Sequence, residues 1–280
     1  NILCGLGNVA GAALSSHPQV NQIVFTGSVT TGIAIARAAA GNVVPCILEL
    51  GGKSAALVHD DADLDAFEND LRWGIYINAG QVCSAMSRVI VHESRHDELL
   101  ERAAGVAQKL SVGPGIERAE GTDTMGAMVS EAQRDRAAMM ISTAQNQGAR
   151  VVTGGRKMNI PGAFLEPTVL ADVTPDMEIA QQEVFGPVLS VMPFRDETQA
   201  IEIANGTAYG LVAGVFSGEV NRAHRAARDL RAGQVFVNEW FAGGVETPFG
   251  GYGKSGYGRE KGREALWNYV QTKNVAVRLG

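Results

Sequence analysis

Short apolar runs alternate with helix-length amphipathic segments along nearly the whole chain, and this alternation restricts the fold more than any single residue does. Residues 22–26 read as a strand before a helix that starts at about Ser28, and 46–50 and 55–59 read as strands before a helix from about Ala62. The order continues with a strand at 87–92, helices at 97–110 and 130–147, and strands at 150–153, 164–169 and 189–193. Helices at 198–205 and 220–230 accompany strands at 212–216 and 234–238. Parallel neighbours need a long crossover, and a crossover helix buries its apolar stripe on the sheet it connects. The expectation is an α/β protein with a mainly parallel sheet. Within 61–79, Leu64, Phe67, Leu71, Ile75 and Trp73 are expected to form the apolar face of a helix.

A chain of 280 residues holds one large or two smaller domains and can bury a sizeable core without disulfides or metal staples. Glycine pairs at Gly51-Gly52 and Gly250-Gly251 mark changes of direction, so residues 51–250 are expected to form an α/β unit with its own core. Residues 272–278 alternate apolar and polar side chains like a half-buried strand, and an open strand edge invites pairing with another chain. The formal charge of -6 leaves no electrostatic footprint for nucleic acid. Arg222, Arg225, Arg228 and Arg231 follow a spacing of three, which reads as a solvated or dipole-complementing helix face. Cys4, Cys46 and Cys83 show no C-x-x-C spacing, so neither a disulfide framework nor a metal site is expected, and a reducing, cytoplasmic setting is. The most apolar window, 32–50, is interrupted by Arg37, Asn42, Pro45 and Glu49, so no membrane span is expected there. The first residue is Asn and not Met, so any targeting segment would lie upstream.

Cys83, in Gly80-Gln81-Val82-Cys83-Ser84, follows the helix of 61–79 at a glycine-marked turn. A thiol is a useful nucleophile only as thiolate, which calls for an accessible, electropositive setting with backbone amides nearby; a lone cysteine is equally at home as a small buried hydrophobe. Glu49 ends an apolar strand where Leu50-Gly51-Gly52 adds little bulk, so its carboxylate either faces a neighbouring site or is a paired strand-end group. Gly27-Ser28-Val29-Thr30-Thr31-Gly32 follows a strand and opens a helix, aiming unpaired amides at whatever lies above. A pyrophosphate would fit there, though such turns are also ordinary punctuation.

Five motifs considered together carry more weight. Phe25-Thr26-Gly27-Ser28, Leu48-Glu49-Leu50-Gly51-Gly52-Lys53, Gly80-Gln81-Val82-Cys83, Gln182-Glu183-Val184-Phe185-Gly186-Pro187 and Pro248-Phe249-Gly250-Gly251 occur in this order. In that order and approximate spacing the chain resembles the aldehyde dehydrogenase superfamily over essentially its whole length. The resemblance implies an aldehyde dehydrogenase-like α/β fold that begins well inside the cofactor domain. Residues 1–50 and 251–268 would be the remainder of a Rossmann-type cofactor-binding domain, 51–250 the catalytic domain and 269–280 an oligomerisation strand.

The same resemblance implies that Cys83 is the nucleophile, forming a thiohemiacetal and then a thioester, and that Glu49 activates the hydrolytic water. It implies NAD or NADP as cofactor, held by Gly27, Ser28, Leu50, Glu183 and Phe185, with Glu183 on the nicotinamide ribose and Phe185 near the ring. A carboxylate suits a ribose diol because it accepts two hydrogen bonds. Val82, Ser84, Trp240, Phe241 and Phe249 would line the pocket for a small aldehyde, and Glu260 would support proton movement or hold the site by ion pairing. A homodimer or homotetramer is the expected assembly, with neither nucleic acid nor membrane as partner. Two other readings stay open: a coenzyme A-acylating dehydrogenase, against which Glu49 argues, and a truncated binding or assembly module, against which the retention of Cys83, Glu49, Glu183 and Phe185 argues.

Overall fold

Strand-forming runs of this chain that are apolar at every position become interior strands, and runs with polar alternation stay at the periphery. The computed structural model describes residues 1–117 and 123–280. The first part comprises helix α1 (Ala12–Ser15), strand β1 (Ile23–Thr26), helix α2 (Val29–Ala40), strands β2 (Cys46–Glu49) and β3 (Ala55–Val58), α3 (Leu64–Tyr76), β4 (Arg88–His92) and α4 (His96–Lys109). Short strands β5 (Ser111–Val112) and β6 (Thr124–Met125) precede α5 (Glu131–Asn146), β7 (Arg150–Thr153), β8 (Thr168–Ala171), α6 (Glu178–Gln181), β9 (Val188–Phe194) and α7 (Glu197–Asn205). The chain continues with β10 (Tyr209–Gly210), β11 (Val212–Phe216), α8 (Val220–Asp229), β12 (Gln234–Val237), β13 (Tyr252–Gly253) and β14 (Gly256–Tyr257).

Two sheets organise these elements. The larger has seven strands in the order β12-β11-β3-β4-β9-β8-β7, all parallel except β7, which runs antiparallel to β8. Every residue of β3, β8 and β11 is buried, as two-faced coverage by helices requires. The smaller sheet pairs β1 with β2 in parallel and β2 with β14 antiparallel. The chain crosses from the small sheet to the large one at Gly51-Gly52 and returns past Gly250-Gly251.

Local chemistry fixes the helix ends. Asp63 caps α3 by accepting the N–H groups of Asp65 and Ala66, and Ser130 and Asp196 cap α5 and α7 in the same way. Leu64, Phe67, Leu71 and Ile75 form the buried stripe of α3 as expected, but Trp73 does not join it and is 52% exposed. It lies two residues from both Leu71 and Ile75, on the opposite face of a helix with 3.6 residues per turn, where the Arg72 guanidinium covers its ring.

Two further expectations meet a different outcome. The strand expected at 164–169 is displaced to Thr168–Ala171, because Pro167 has no N–H for a ladder and pairing with β9 starts at Thr168. The arginine-spaced helix α8 is not merely solvated: Arg222 reaches Asp60, Asp61, Glu197 and Glu219, while Arg225 reaches Glu197 and Glu219. Residues 270–280 form no hydrogen-bonded strand within the single chain, and Val275 and Val277 are exposed. Among the described residues no helix is long and apolar enough to cross a membrane, and no cluster of metal-ligating side chains occurs.

Candidate active site

The N-terminal ends of β3, β4 and β9 in the large sheet meet the C-terminal end of β2 in the small one, and the candidate residues gather along this seam. After α3 the backbone reverses through Asn78, Ala79 and Gly80, with φ of 52°, 55° and 71°. Gly80 is required there, since a Cβ would stand 2.1 Å from the carbonyl oxygen of Gly186. The turn is tied by Asn78 Nδ2 donating to the Gln81 carbonyl and Gln81 Nε2 to that of Asn78, both at 3.0 Å. Gln81 Oε1 also accepts the Val129 N–H at 2.8 Å. Val82, Cys83 and Ser84 follow directly, with the Cys83 carbonyl pressed over Gly52, whose Cβ would stand 2.4 Å from it.

Cys83 is half-buried and its thiol is free. Its surroundings are not electropositive, contrary to the expectation from sequence. Burial pushes the thiol up, the carboxylates of Glu183 and Glu49 push it further, and the backbone N–H groups of Ser84 and Cys83 oppose them. The two carboxyl groups are thus close enough to act on the sulfur, and among the described residues no side-chain cation offsets them.

Glu49 closes β2 with 2% of its surface exposed, and neither carboxylate oxygen has a hydrogen-bond partner. Burial, and then the Glu260 carboxylate, raise its pKa to about 8, with Arg259 opposing. Gly250, at φ 152°, lies against it, and a Cβ there would come within 2.7 Å of Oε1. Phe249 and Glu260 exchange backbone hydrogen bonds of 2.7 Å in each direction, which holds Glu260 beside this pocket.

Glu183 is seated on the glycine pair. Its Oε1 accepts the Gly52 N–H at 3.0 Å, and Gly51 is so near that a Cβ would stand 2.2 Å from Oε2. Burial raises this carboxyl, opposed by the Gly52 N–H, Lys53 and Arg136. Phe185 adopts φ 53° with its ring partly exposed, and Gln133 Nε2 donates to the carbonyls of Val184 and Phe185. Gly52, Gly80, Val82, Glu183, Phe185 and Gly186 share one cleft.

The remaining expected residues divide. Ser28 is exposed at the start of α2, where its hydroxyl caps the helix by accepting the Thr31 N–H at 3.3 Å, and Gly27 donates its N–H to the Glu49 carbonyl at 3.0 Å. Leu50 is buried against Gly32, whose Cβ would meet Leu50 Cδ2 at 2.6 Å, so the glycine lets α2 approach the end of β2. Trp240 is buried, stacks edge-on with Phe236, and donates its indole N–H to the Ser84 carbonyl at 3.2 Å. Ser84 is buried beneath it. Phe241 is partly exposed at φ 63°, and Phe249 packs against the core under Lys261.

Sequence reasoning missed Lys53 and Arg88, both buried cations. Each interrupts an otherwise uncharged stretch, Gly51 to Val58, which is buried throughout, and Ser84 to Val91, which is buried except at Ser87, and an unexplained charge inside such a stretch was the available signal.

The residues present fit a nicotinamide dinucleotide. The α2 N-terminus leaves amides free for an anion, and Glu183 offers an oxygen over a glycine cradle that any side chain would fill.

Comparison with known proteins gives this arrangement its family. The aldehyde dehydrogenase family model matches residues 1–275. An aldehyde dehydrogenase of Emericella nidulans is 45% identical over 282 residues, covering 100% of this chain and 56% of that protein. The NAD+ complex of an aldehyde dehydrogenase from Bacillus cereus superposes with TM-score 0.95 at 40% identity, covering 99% of this chain and 56% of that one. A betaine aldehyde dehydrogenase from Staphylococcus aureus, also solved with NAD+, gives TM-score 0.92 at 37% identity, covering 96% and 55%. The chain therefore spans little more than half the length of these relatives. With the family model covering nearly all of it and the fold matching throughout, the chain belongs to the aldehyde dehydrogenase family.

Proposed function

We propose that the whole protein oxidises a small aldehyde to a carboxylic acid with NAD+ or NADP+, using Cys83 as nucleophile and Glu49 as general base. The observation that carries this reading is Glu49: a buried carboxylate without a hydrogen-bond partner, close enough to raise the Cys83 thiol, with a pKa of about 8. A base poised near the working pH can both accept and release a proton.

In the forward direction the Glu49 carboxylate takes the Cys83 thiol proton and passes it on to solvent, and Sγ bonds to the carbonyl carbon as the C=O electron pair moves onto the aldehyde oxygen. The backbone N–H of Cys83 would be one donor to that oxyanion. The oxidised nicotinamide, when bound, supplies a positive charge and the acceptor for the hydride leaving that carbon. Glu49 then takes a proton from water as the water oxygen bonds to the thioester carbon, and the C–S bond breaks to release the acid and the Cys83 thiolate. Covalent catalysis divides one difficult oxidation into two easier steps.

Glu183 would accept the nicotinamide ribose hydroxyls, Phe185 would pack near the ring, and Gly27, Ser28 and Leu50 would border the dinucleotide. NAD+ is the preferred assignment, supported by the NAD+ found in the relatives from Bacillus cereus and Staphylococcus aureus. Val82, Phe241 and Phe249 are the proposed aldehyde contacts, with buried Trp240 and Ser84 shaping the wall behind them. Glu260 would tune Glu49 by its charge. The division into a partial cofactor unit (1–50 and 251–268) and a catalytic unit (51–250) draws support from β14, which returns to pair with β2. The exposed tail 269–280 is proposed as the strand through which a homodimer or homotetramer forms. Three free cysteines support a reducing compartment such as the cytoplasm.

The test is product analysis of the whole protein with an aldehyde, NAD+ and coenzyme A present together. Free acid formed by the wild type and lost in Cys83→Ala supports the proposal; acyl-coenzyme A as the product, or full activity in Cys83→Ala, refutes it.

A further inference from the structure

The catalytic candidates gather at the N-terminal ends of β3, β4 and β9, whereas the opposite end of β3 meets a crevice that the proposed reaction does not use. In a parallel sheet covered on both faces, ligands collect at the carboxyl ends of neighbouring strands whose connections diverge. β3 and β11 are such a pair. They lie side by side in parallel; the chain leaves β3 through α3 towards β4, and leaves β11 through α8 towards β12 on the other side. α3 covers one face, with Phe67 edge-on to Phe216, and α7 and α8 pack together on the other.

Alternation along β3 turns Leu57, and His59 just beyond it, to the face under α7 and α8. There they line a cavity of about 320 Å3 together with Ile201 and Ala226, a size that suits a small ligand. His59 is 2% exposed, and its Nε2 has no hydrogen-bond partner. A buried ring nitrogen left unpaired costs free energy that a polar group of a ligand recovers. Burial, and then the Arg222 guanidinium, hold the imidazole below its usual pKa against Glu197, Asp61 and Asp60, so the ring is neutral and can pair as donor or acceptor.

The charges on the cavity wall are three carboxylates, Glu197, Glu202 and Asp229, against one guanidinium, Arg225. Arg225 is committed to Glu197 and Glu219 at 3.6 Å, and Asp229 to Arg228 at 2.7 and 3.0 Å. Arg222 is held by Asp60 and Asp61 at 2.7 and 3.2 Å. Glu202 is exposed and has no ion-pair partner among the described residues. An anion entering here meets an uncompensated carboxylate, and a cation finds a free one. Glu202 follows Glu197, which acts on His59, by five residues, about 7.5 Å along the α7 axis. A chain of roughly five carbons with a polar group at each end spans that distance.

We propose that the crevice between α7 and α8 is a second binding site, separate from the catalytic seam, for a small amino alcohol: its ammonium pairs with Glu202, its apolar chain lies on Leu57, Ile201 and Ala226, and its hydroxyl meets His59 Nε2.

The experiment uses the whole protein with isotope-labelled histidine, titrated at neutral pH and constant ionic strength with 5-aminopentan-1-ol, with n-pentylammonium and with 5-hydroxypentanoate. The His59 ring signal is followed by NMR and identified by its loss in His59→Phe, or in His59→Gln if the Phe variant does not fold. The amino alcohol should shift this signal with a single midpoint. Glu202→Gln should raise the midpoint about threefold, and n-pentylammonium, which lacks the hydroxyl, should bind about threefold more weakly. Ile201→Trp, which fills the cavity from a half-buried position, should abolish the shift, and 5-hydroxypentanoate should cause none.

No shift at His59 in the wild type, as when another segment or another copy covers the crevice, overturns the proposal. So does an unchanged midpoint in Glu202→Gln. An equal response to 5-hydroxypentanoate overturns the choice of a cation, and equal midpoints for the amino alcohol and n-pentylammonium overturn the contact with His59. If Ile201→Trp does not fold, Glu202→Gln, a change at an exposed side chain, decides alone.

Discussion

The two sheets differ in how fully they are covered. In the seven-stranded sheet Leu57, Ile90, Leu170, Val191 and Val215 have no exposed surface at all, whereas Val24 in the three-stranded sheet is 41% exposed and Ile33 on the helix beside it 43%. Stability in this chain therefore resides mainly in the large sheet, since hydrophobic stabilisation follows the apolar area removed from water. The candidate chemistry obeys another geography. Cys83 and Glu183 are set by loops entering the large sheet, and Glu49 is set by the small one. The nucleophile and its proposed base stand on different foundations, joined by Gly51-Gly52.

The sharpest way to break this comparison uses two glycines. Gly80 combines φ 71° with a Cβ position 2.1 Å from the Gly186 carbonyl oxygen, while Gly41, at the end of α2, has helical angles and only ordinary contact, 3.4 Å from the Ala38 carbonyl oxygen. Gly80→Ala should cost about 3 kcal/mol, from left-handed strain plus overpacking. Gly41→Ala should stabilise by about 0.5 kcal/mol, by restricting the unfolded chain. Urea denaturation of both variants gives the check; equal effects would remove the distinction between a rigid turn at Cys83 and a permissive small-sheet periphery.

A second contrast holds the chemistry constant. Val191→Ala in β9 removes two buried carbons and should cost about 2–3 kcal/mol, whereas Val24→Ala in β1 should stay within about 0.5 kcal/mol in the 280-residue chain. Urea midpoints measured side by side decide it. Convergence of the two costs would mean that another segment or another molecule covers the small sheet at Val24.

Much of this division was legible in the sequence, for a physical reason. Fully apolar runs such as 55–58 and 212–216 are what a two-faced parallel strand requires, and they appear where expected. The cap residues of α3 and α7, Asp63 and Asp196, sit immediately before the first helical turn as capping chemistry demands, a signal that the expected starts at about 62 and 198 did not use. What escaped depends on contacts distant in sequence. The left-handed turn at Asn78-Ala79 is imposed by the approach to Gly186, more than a hundred residues away along the chain, and alanine carries no local preference for it. The carboxylates beside Cys83 come from residues 49 and 183, so the sulfur's electronegative surroundings cannot be read from its own segment. Lys53 was present in a motif and went unused because its meaning lies in burial, which a motif does not state.

A change smaller than those at Gly80 and Val191 tests whether Glu49 is buried as the seam requires. Its folded pKa, about 8, lies above the ordinary value of 4.5, so between these limits the folded chain binds a proton that the unfolded chain has released. Stability must then fall as pH rises through this window, because folding becomes linked to retaining that proton. Below the ordinary carboxylate range both states are protonated and Glu49 contributes no slope; above the folded pKa the full cost of a buried carboxylate is present. Glu49→Gln keeps the shape and removes the titration. Relative to wild type it should gain on the order of 1–2 kcal/mol between mildly acidic and alkaline pH, measured as the difference between two urea midpoints. A gain independent of pH would mean that the Glu49 carboxylate reaches water in solution, and the small sheet would then lie more open at its active end than the 2% exposure of this residue shows.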